Sequence, residues 1–244
     1  MLRLIIKGYF VKVFKLYLKY QITLINVIIF LFIVLFLLLC YFINIYNLNV
    51  NMSYEQVLLF YYENSIYYTK IIVVFLSCFL FMKLKYERNE YLINIVISAG
   101  YTKKQNYFYM ILCVLYIMFV IVSLLFMFFI LIGYIVKSYF YLKLDYFISF
   151  LNIYVLSIHY GLLTYLLIMI INNQMVFVIN YILFILSELF ANYNGDLKYV
   201  FISLFPNINN NDGLFYINII YVITYIFALY NINKCIYLSS DLKS

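Results

Sequence analysis

The chain has 244 residues, of which 68% are hydrophobic and only 10% charged, with a formal net charge of +7. Soluble domains carry about 25% charged residues, so this composition excludes a water-facing surface and leaves lipid as the covering. The positive balance does not point to nucleic acid, because the lysines flank apolar segments instead of forming a folded basic face.

Two uncharged stretches define the class. Between Lys104 and Lys137 there is no aspartate, glutamate, lysine or arginine, and between Asp145 and Glu188 only His159 could carry charge near neutral pH. About 20 apolar residues cross a bilayer. The first stretch therefore fits one long span, and the second fits two, broken at Asn172, Asn173 and Gln174. The chain reads as an all-α membrane protein, a single domain over residues 1–244. Its 31 tyrosines, 25 phenylalanines, single proline and absent tryptophan read as the bias of an AT-rich genome, bacterial or organellar.

In chain order, residues 1–20 set Lys12, Lys15 and Lys19 at helical spacing among Val13, Phe14 and Leu18, with Arg3 and Lys7 one turn apart. The pattern predicts an amphipathic helix in the headgroup layer, or a plain basic flank that orients the first span. Six spans are predicted, over 22–43, 66–83, 107–135, 146–171, 175–193 and 214–233. The first is too long for a cleavable leader and no small-residue cleavage site follows it. A short acidic loop is expected between spans one and two, and Lys70, near the outer end of span two, reaches water along its stem. After span five, Tyr199 to Phe205 is expected to dip into the outer interface, closing a central cavity or serving as a structural cap.

Twelve of the 16 basic residues precede span one, join spans two and three, or follow span six. The positive-inside rule then puts both termini and the loop after span two in the cytoplasm. Lys70, Lys137, Lys143 and Lys198 fall on the other side. No two glycines stand four apart and the alanines are Ala99, Ala191 and Ala228, so helix interfaces are expected to be bulky and aromatic.

Residues for covalent chemistry are scarce. There is no GxxxxGK[ST] phosphate loop, no HExxH and no CxxC, and His159 has no second ligand at metal spacing. Cys40, Cys78, Cys113 and Cys235 lack paired spacing and read as inert core thiols. No catalytic residue, metal site or ATPase activity is expected. Glu188 and His159 lie inside spans and are the candidate substrate-path residues. The alternatives are a Glu188 solvated at the outer surface beside Asn192, Asn194 and Asp196, and a His159 hydrogen-bonded between helices.

The most organised polar stretch joins spans two and three. Glu87, Glu90 and Asn94 share a helical side, Leu92, Ile95, Val96 and Ile97 supply apolar surface, and Gly100 offers a stop before Thr102 begins the next helix. The spacing predicts a helix lying flat beneath the membrane, or else a solvated loop that anchors orientation.

The basic amphipathic lead-in, six spans, the segment ERNEYLINIVISAGYTKKQNYF and the small outer loops together resemble the membrane subunits of type-two ABC exporters. The resemblance covers nearly the whole chain. It implies six transmembrane helices, an N-terminal interfacial helix, and a cytoplasmic coupling helix between spans two and three, beginning at Glu87, Arg88 and Glu90 and ending at Gly100, Lys103 and Lys104. Asn89 and Tyr91 depart from the family's usual start, and Ser98 to Tyr101 replace its proline-containing stretch. The implied function is a cell-membrane permease, not itself an enzyme, exporting a hydrophobic or amphipathic cargo such as an antimicrobial peptide, for secretion or self-immunity. The implied partners are a dimer of ABC ATPase subunits, which would bind ATP and Mg, and a second permease copy or similar subunit. A different class remains: a structural or proton-path subunit of an organellar respiratory complex, which would bury ionisable residues at mid-membrane on several spans.

Overall fold

A computed structural model describes residues 12–19, 31, 35, 54–85, 94–137, 144–191 and 215–239. Within them lie five long helices: α1 (Tyr54–Lys83), α2 (Lys103–Lys137), α3 (Leu144–Ile171), α4 (Val176–Ala191) and α5 (Phe215–Ser239). Residues 12–19 and 94–98 add short helical pieces, and no strand occurs among the described residues. Segments this apolar satisfy their backbone groups internally, which is what a helix does.

Among the described residues, three stretches are long and apolar enough to cross a membrane: Phe60–Lys83, Lys103–Leu131 and Tyr146–Ile171. They correspond to expected spans two, three and four. Expected span one and the outer segment 195–213 lie outside the described residues, apart from Leu31 and Leu35, which are helical and exposed. Of expected span five, Val176 to Ala191 are described and helical, 16 residues rising about 24 Å, and residues 192 and 193 lie outside the described residues. Expected span six continues past Asn233 to Ser239.

The acidic loop expected before span two is corrected in its second half, because Tyr54 to Ser65 form the first turns of α1. Ser65 and Thr69 return their hydroxyls to the carbonyls of Tyr61 and Ser65, so these polar residues cost the helix nothing in unpaired groups. The extension changes the position of Lys70. It sits thirteen residues before Lys83, about 20 Å along the axis, in the body of the helix and not at its end.

Cross-helix partners give the direction of each element. Tyr62 meets Ser149 and Ser77 meets Ser157, so α1 and α3 run parallel. Tyr225 lies beside His159 and Asn233 beside Leu162, so α5 runs with α3. Tyr61 reaches Phe129 and Tyr154 reaches Leu115, which makes α2 antiparallel to both α1 and α3. Phe79 meets Phe177 while Lys70 meets Glu188, so α4 is antiparallel to α1. Successive helices therefore alternate, and α3 occupies the centre, touching all four others.

One end of the bundle gathers the C-terminal ends of α1, α3 and α5 with the N-terminal ends of α2 and α4. Lys83, Lys85, Lys103, Lys104 and Lys234 stand there. The 12–19 segment packs along α2 from that end inward: Val13 and Tyr17 are buried, Lys12, Lys15 and Lys19 are exposed, and the Phe14 ring meets that of Tyr116, thirteen residues into α2. The amphipathic expectation holds for these eight positions.

The α1–α3 seam corrects the expectation of bulky interfaces. A side chain at Gly161 would overlap the Phe81 ring and the Ser77 hydroxyl, so the two backbones approach closely. Ser77 donates across the seam to the Ser157 carbonyl at 2.6 Å. Ser157 and Gly161 are four apart, a small-xxx-small pair in which serine stands for the missing glycine. Elsewhere the aromatic expectation holds, as where Phe126, Tyr146 and Phe150 pack ring on ring with centroids 4.8–5.5 Å apart.

Candidate functional site

Two polar regions interrupt the apolar bundle, one at the basic end and one inside it. At the basic end, Gly100 adopts φ +89°. Its N–H donates to the Ile97 carbonyl at 2.9 Å, and that of Tyr101 to Val96 at 3.3 Å. These are the two bonds of a Schellman stop, in which the left-handed position suits glycine. Two residues later the helix restarts. The Thr102 hydroxyl accepts from the Gln105 N–H at 3.3 Å, and Gln105 Oε1 accepts from the Thr102 N–H at 3.0 Å, a reciprocal capping box.

The predicted stop and restart are thus both present. Lys103 and Lys104 belong to the first turn of α2 and not to the segment before it. Glu87, Arg88 and Glu90 lie outside the described residues. Within 94–100, Val96 is buried while Asn94, Ile95, Ser98, Ala99 and Gly100 are exposed.

Sequence reasoning missed what lies directly behind this segment. The Tyr17 hydroxyl donates to Asn106 Oδ1, and Asn106 Nδ2 donates to the Tyr237 hydroxyl at 2.7 Å. A fully buried amide thereby ties the lead-in segment, the start of α2 and the end of α5 together. Tyr107 stacks among Tyr165, Tyr230 and Tyr237, with centroids 5.3–6.4 Å away. Burial, with Tyr237 nearby, raises the Tyr17 phenol well above its ordinary value. On the far side, the Lys85 ammonium reaches the Ile168 carbonyl at 3.3 Å, near the open C-terminal end of α3. Asn172, at φ 54°, and the Asn173 side chain, which accepts from the Met175 N–H at 2.9 Å, make the predicted break between α3 and α4.

No family model, curated protein or solved structure matches this chain. The residues themselves therefore carry the functional argument.

Inside the bundle, the Lys70 ammonium lies 3.0 Å and 3.1 Å from the two carboxylate oxygens of Glu188. The side chains are 8% and 13% exposed. This corrects both expectations: Lys70 does not reach out to water, and Glu188 is not a solvated rim residue. Next to it, Ser187 meets the Tyr160 hydroxyl at 3.1 Å. Asn180 Nδ2 donates to the Tyr160 carbonyl at 2.9 Å and to Thr164 Oγ1 at 2.7 Å, with Asn180 Oδ1 left unpartnered. The α3–α4 contact and its link to α1 are thus polar, while α2 and α5 meet α3 mainly through carbon.

His159 is fully buried and interhelical, as predicted, with its ring 5.2 Å from Tyr160 and 5.3 Å from Tyr225. The hydrogen bond expected of it is not found; neither ring nitrogen has a partner among the described residues. His159 precedes Tyr160 and Glu188 follows Ser187 in the chain, and it is the Tyr160 and Ser187 hydroxyls that meet. The described residues hold no cluster of His, Cys, Asp and Glu suited to a metal ion. Cys78 and Cys113 are buried, as expected of core thiols, but Cys235 is exposed.

Proposed function

We propose that this chain is the membrane permease subunit of a type-two ABC exporter, with six spans, both termini in the cytoplasm and the 12–19 segment in the headgroup layer. The observation that carries the reading is the segment 94–106 at the basic end. An exposed helical turn is stopped at Gly100, recoupled to α2 by a capping box, and anchored through Asn106 to Tyr17 and Tyr237. Alternating helix directions and the lysines gathered at one end support the orientation. Three helices able to cross a membrane, and apolar side chains left exposed, such as Leu124 and Phe227, support the bilayer setting.

In this reading a dimer of separate ATPase subunits, holding ATP and Mg, docks on the segment from Glu87 to Lys104. Closure of the ATPase dimer displaces that segment, and the rigid links to α2 and α5 carry the displacement into the bundle, shifting a cavity shared with a second permease between two access states. Glu188 and His159 are the path candidates, and the cargo is hydrophobic or amphipathic, an antimicrobial peptide being the preferred type. Affinity purification of the intact complex, with every subunit identified, tests this. An ABC ATPase that copurifies with the wild type and is lost from E87K/E90K supports the reading, and undiminished ATPase binding and turnover in that variant count against it.

A second reading, a proton-path or structural subunit of a respiratory complex, is favoured by one observation: Lys70 and His159, which are buried, and Glu188, 13% exposed, stand on three different helices. The same purification separates the two, since respiratory subunits would copurify instead.

A further inference from the structure

A groove of about 290 Å³ runs between α2 and α5 over the surface of α3. Leu112, Leu115, Leu162, Ile223 and Phe227 are among its walls, which are almost entirely carbon. It opens to the outside: Phe108 is 48% exposed, Ile223 51% and Phe227 69%. Toward the basic end it finishes at Phe108 and Tyr230, where Tyr107 donates to the Tyr230 carbonyl at 3.3 Å and joins α2 to α5.

Both rims continue into a lysine. Lys104 stands four residues before Phe108, and Lys234 four residues after Tyr230, so helical spacing keeps each on the groove-facing side of its helix. Because α2 starts where α5 ends, both lysines flank the same mouth. Neither makes a hydrogen bond or ion pair among the described residues. The first turn of α2 contains no acidic residue to offset Lys103 and Lys104, which stand at the positive end of the helix macrodipole, where like charge is unfavourable.

We propose that this groove is a binding site for an anionic phospholipid of the cytoplasmic leaflet, its acyl chain along Leu112, Leu115 and Phe227 and its headgroup between Lys104 and Lys234. The site needs the chain to be membrane-embedded, basic end to the cytoplasm, but does not need it to be an exporter. Charge selects this occupant over a second copy of the chain. A two-fold contact brings the same patch of both copies together, so in a membrane, where the cytoplasmic ends of both copies coincide, it would set lysine mouth against lysine mouth. An anionic headgroup there neutralises both lysines, and basic residues at a cytoplasmic face are where anionic lipids are held.

The test is native mass spectrometry of the full chain, released from detergent after incubation with equal amounts of phosphatidylglycerol and phosphatidylcholine carrying the same acyl chains. Wild type is expected to retain phosphatidylglycerol with about tenfold preference. K104Q/K234Q is expected to bring the ratio to about one, whereas K12Q/K15Q, exposed lysines off the groove, leaves it unchanged. L115W, which fills the groove, lowers retention of both lipids, and circular dichroism shows that each variant keeps its helices. Equal retention of the two lipids by wild type overturns the proposal. So does an unchanged ratio in K104Q/K234Q, an equal loss in K12Q/K15Q, or efficient F227C cross-linking between copies in a bilayer. No ATPase or cargo enters the assay, so its failure and that of the exporter reading are separate results.

Discussion

Lys70 of α1 and Glu188 of α4, 118 positions apart in the chain, form an ion pair with the ammonium 3.0 Å and 3.1 Å from the two carboxylate oxygens. The pair ties α4 to α1 beside the polar contacts that Ser187 and Asn180 of α4 make with α3. Removing one member of a buried pair leaves an uncompensated charge and costs about 3–5 kcal/mol, whereas replacing both by apolar groups is often neutral. K70M and E188Q are each expected to lower the thermal midpoint in detergent clearly, and K70M/E188L to recover most of it. Transport by E188Q that equals wild type removes Glu188 from the path.

The α1–α3 seam depends on the absence of a side chain at Gly161. G161A forces the Phe81 ring and the Ser77 hydroxyl aside, and overpacking of this kind costs about 1–3 kcal/mol. F81L in the same chain relieves part of the overlap, so the double variant is expected to be more stable than G161A alone. Chemical unfolding monitored by circular dichroism in mild detergent checks the order.

Gly100 and Thr102 act locally, at the stop and the restart. G100A puts a Cβ on a residue at φ +89°, and T102A removes the cap, each costing about 1 kcal/mol. Hydrogen exchange should speed up at the amides of Gly100, Tyr101 and Gln105 while protection at the centre of α2 stays constant. In the exporter reading the same variants weaken the stimulation of ATP turnover by cargo.

The Tyr17 phenol gives a pH signature. Its proton is held more tightly in the folded chain than in the unfolded one, because burial opposes the phenolate. A group raised in this way contributes fully below its unfolded value and loses that contribution as pH rises above about 10. Y17F is expected to flatten the fall of stability between pH 10 and 11.5 relative to wild type, and to be less stable at neutral pH because Asn106 Oδ1 loses its donor, at about 1–3 kcal/mol.

Cys235 is exposed at the basic end while Cys78 and Cys113 are buried. In a C40S background, a membrane-impermeant maleimide is expected to label Cys235 in inside-out vesicles and not in right-side-out ones. The reverse result would turn the whole topology over.

Much of this molecule was legible in its residues because the signals are local. Uncharged length marks α2 and α3, Gly100 and Thr102 mark a stop and a restart two residues apart, Asn172 to Gln174 mark a break, and the lysines at positions 12, 15 and 19 mark one face of a helix. Each acts through backbone or neighbouring side chains within a turn or two, so order along the chain suffices to read it. The partners of Lys70, Asn106 and Gly161, and the meeting of Lys104 with Lys234 at one groove mouth, were not legible, since an isolated helix presents every side chain without a record of what will face it. Helix direction, axial register and closeness of approach decide those meetings, and they arise only when α3 is surrounded. Composition and local spacing determined that this chain makes long apolar helices with one basic end; packing alone decided which lysine is neutralised inside the bundle and which two wait at its edge.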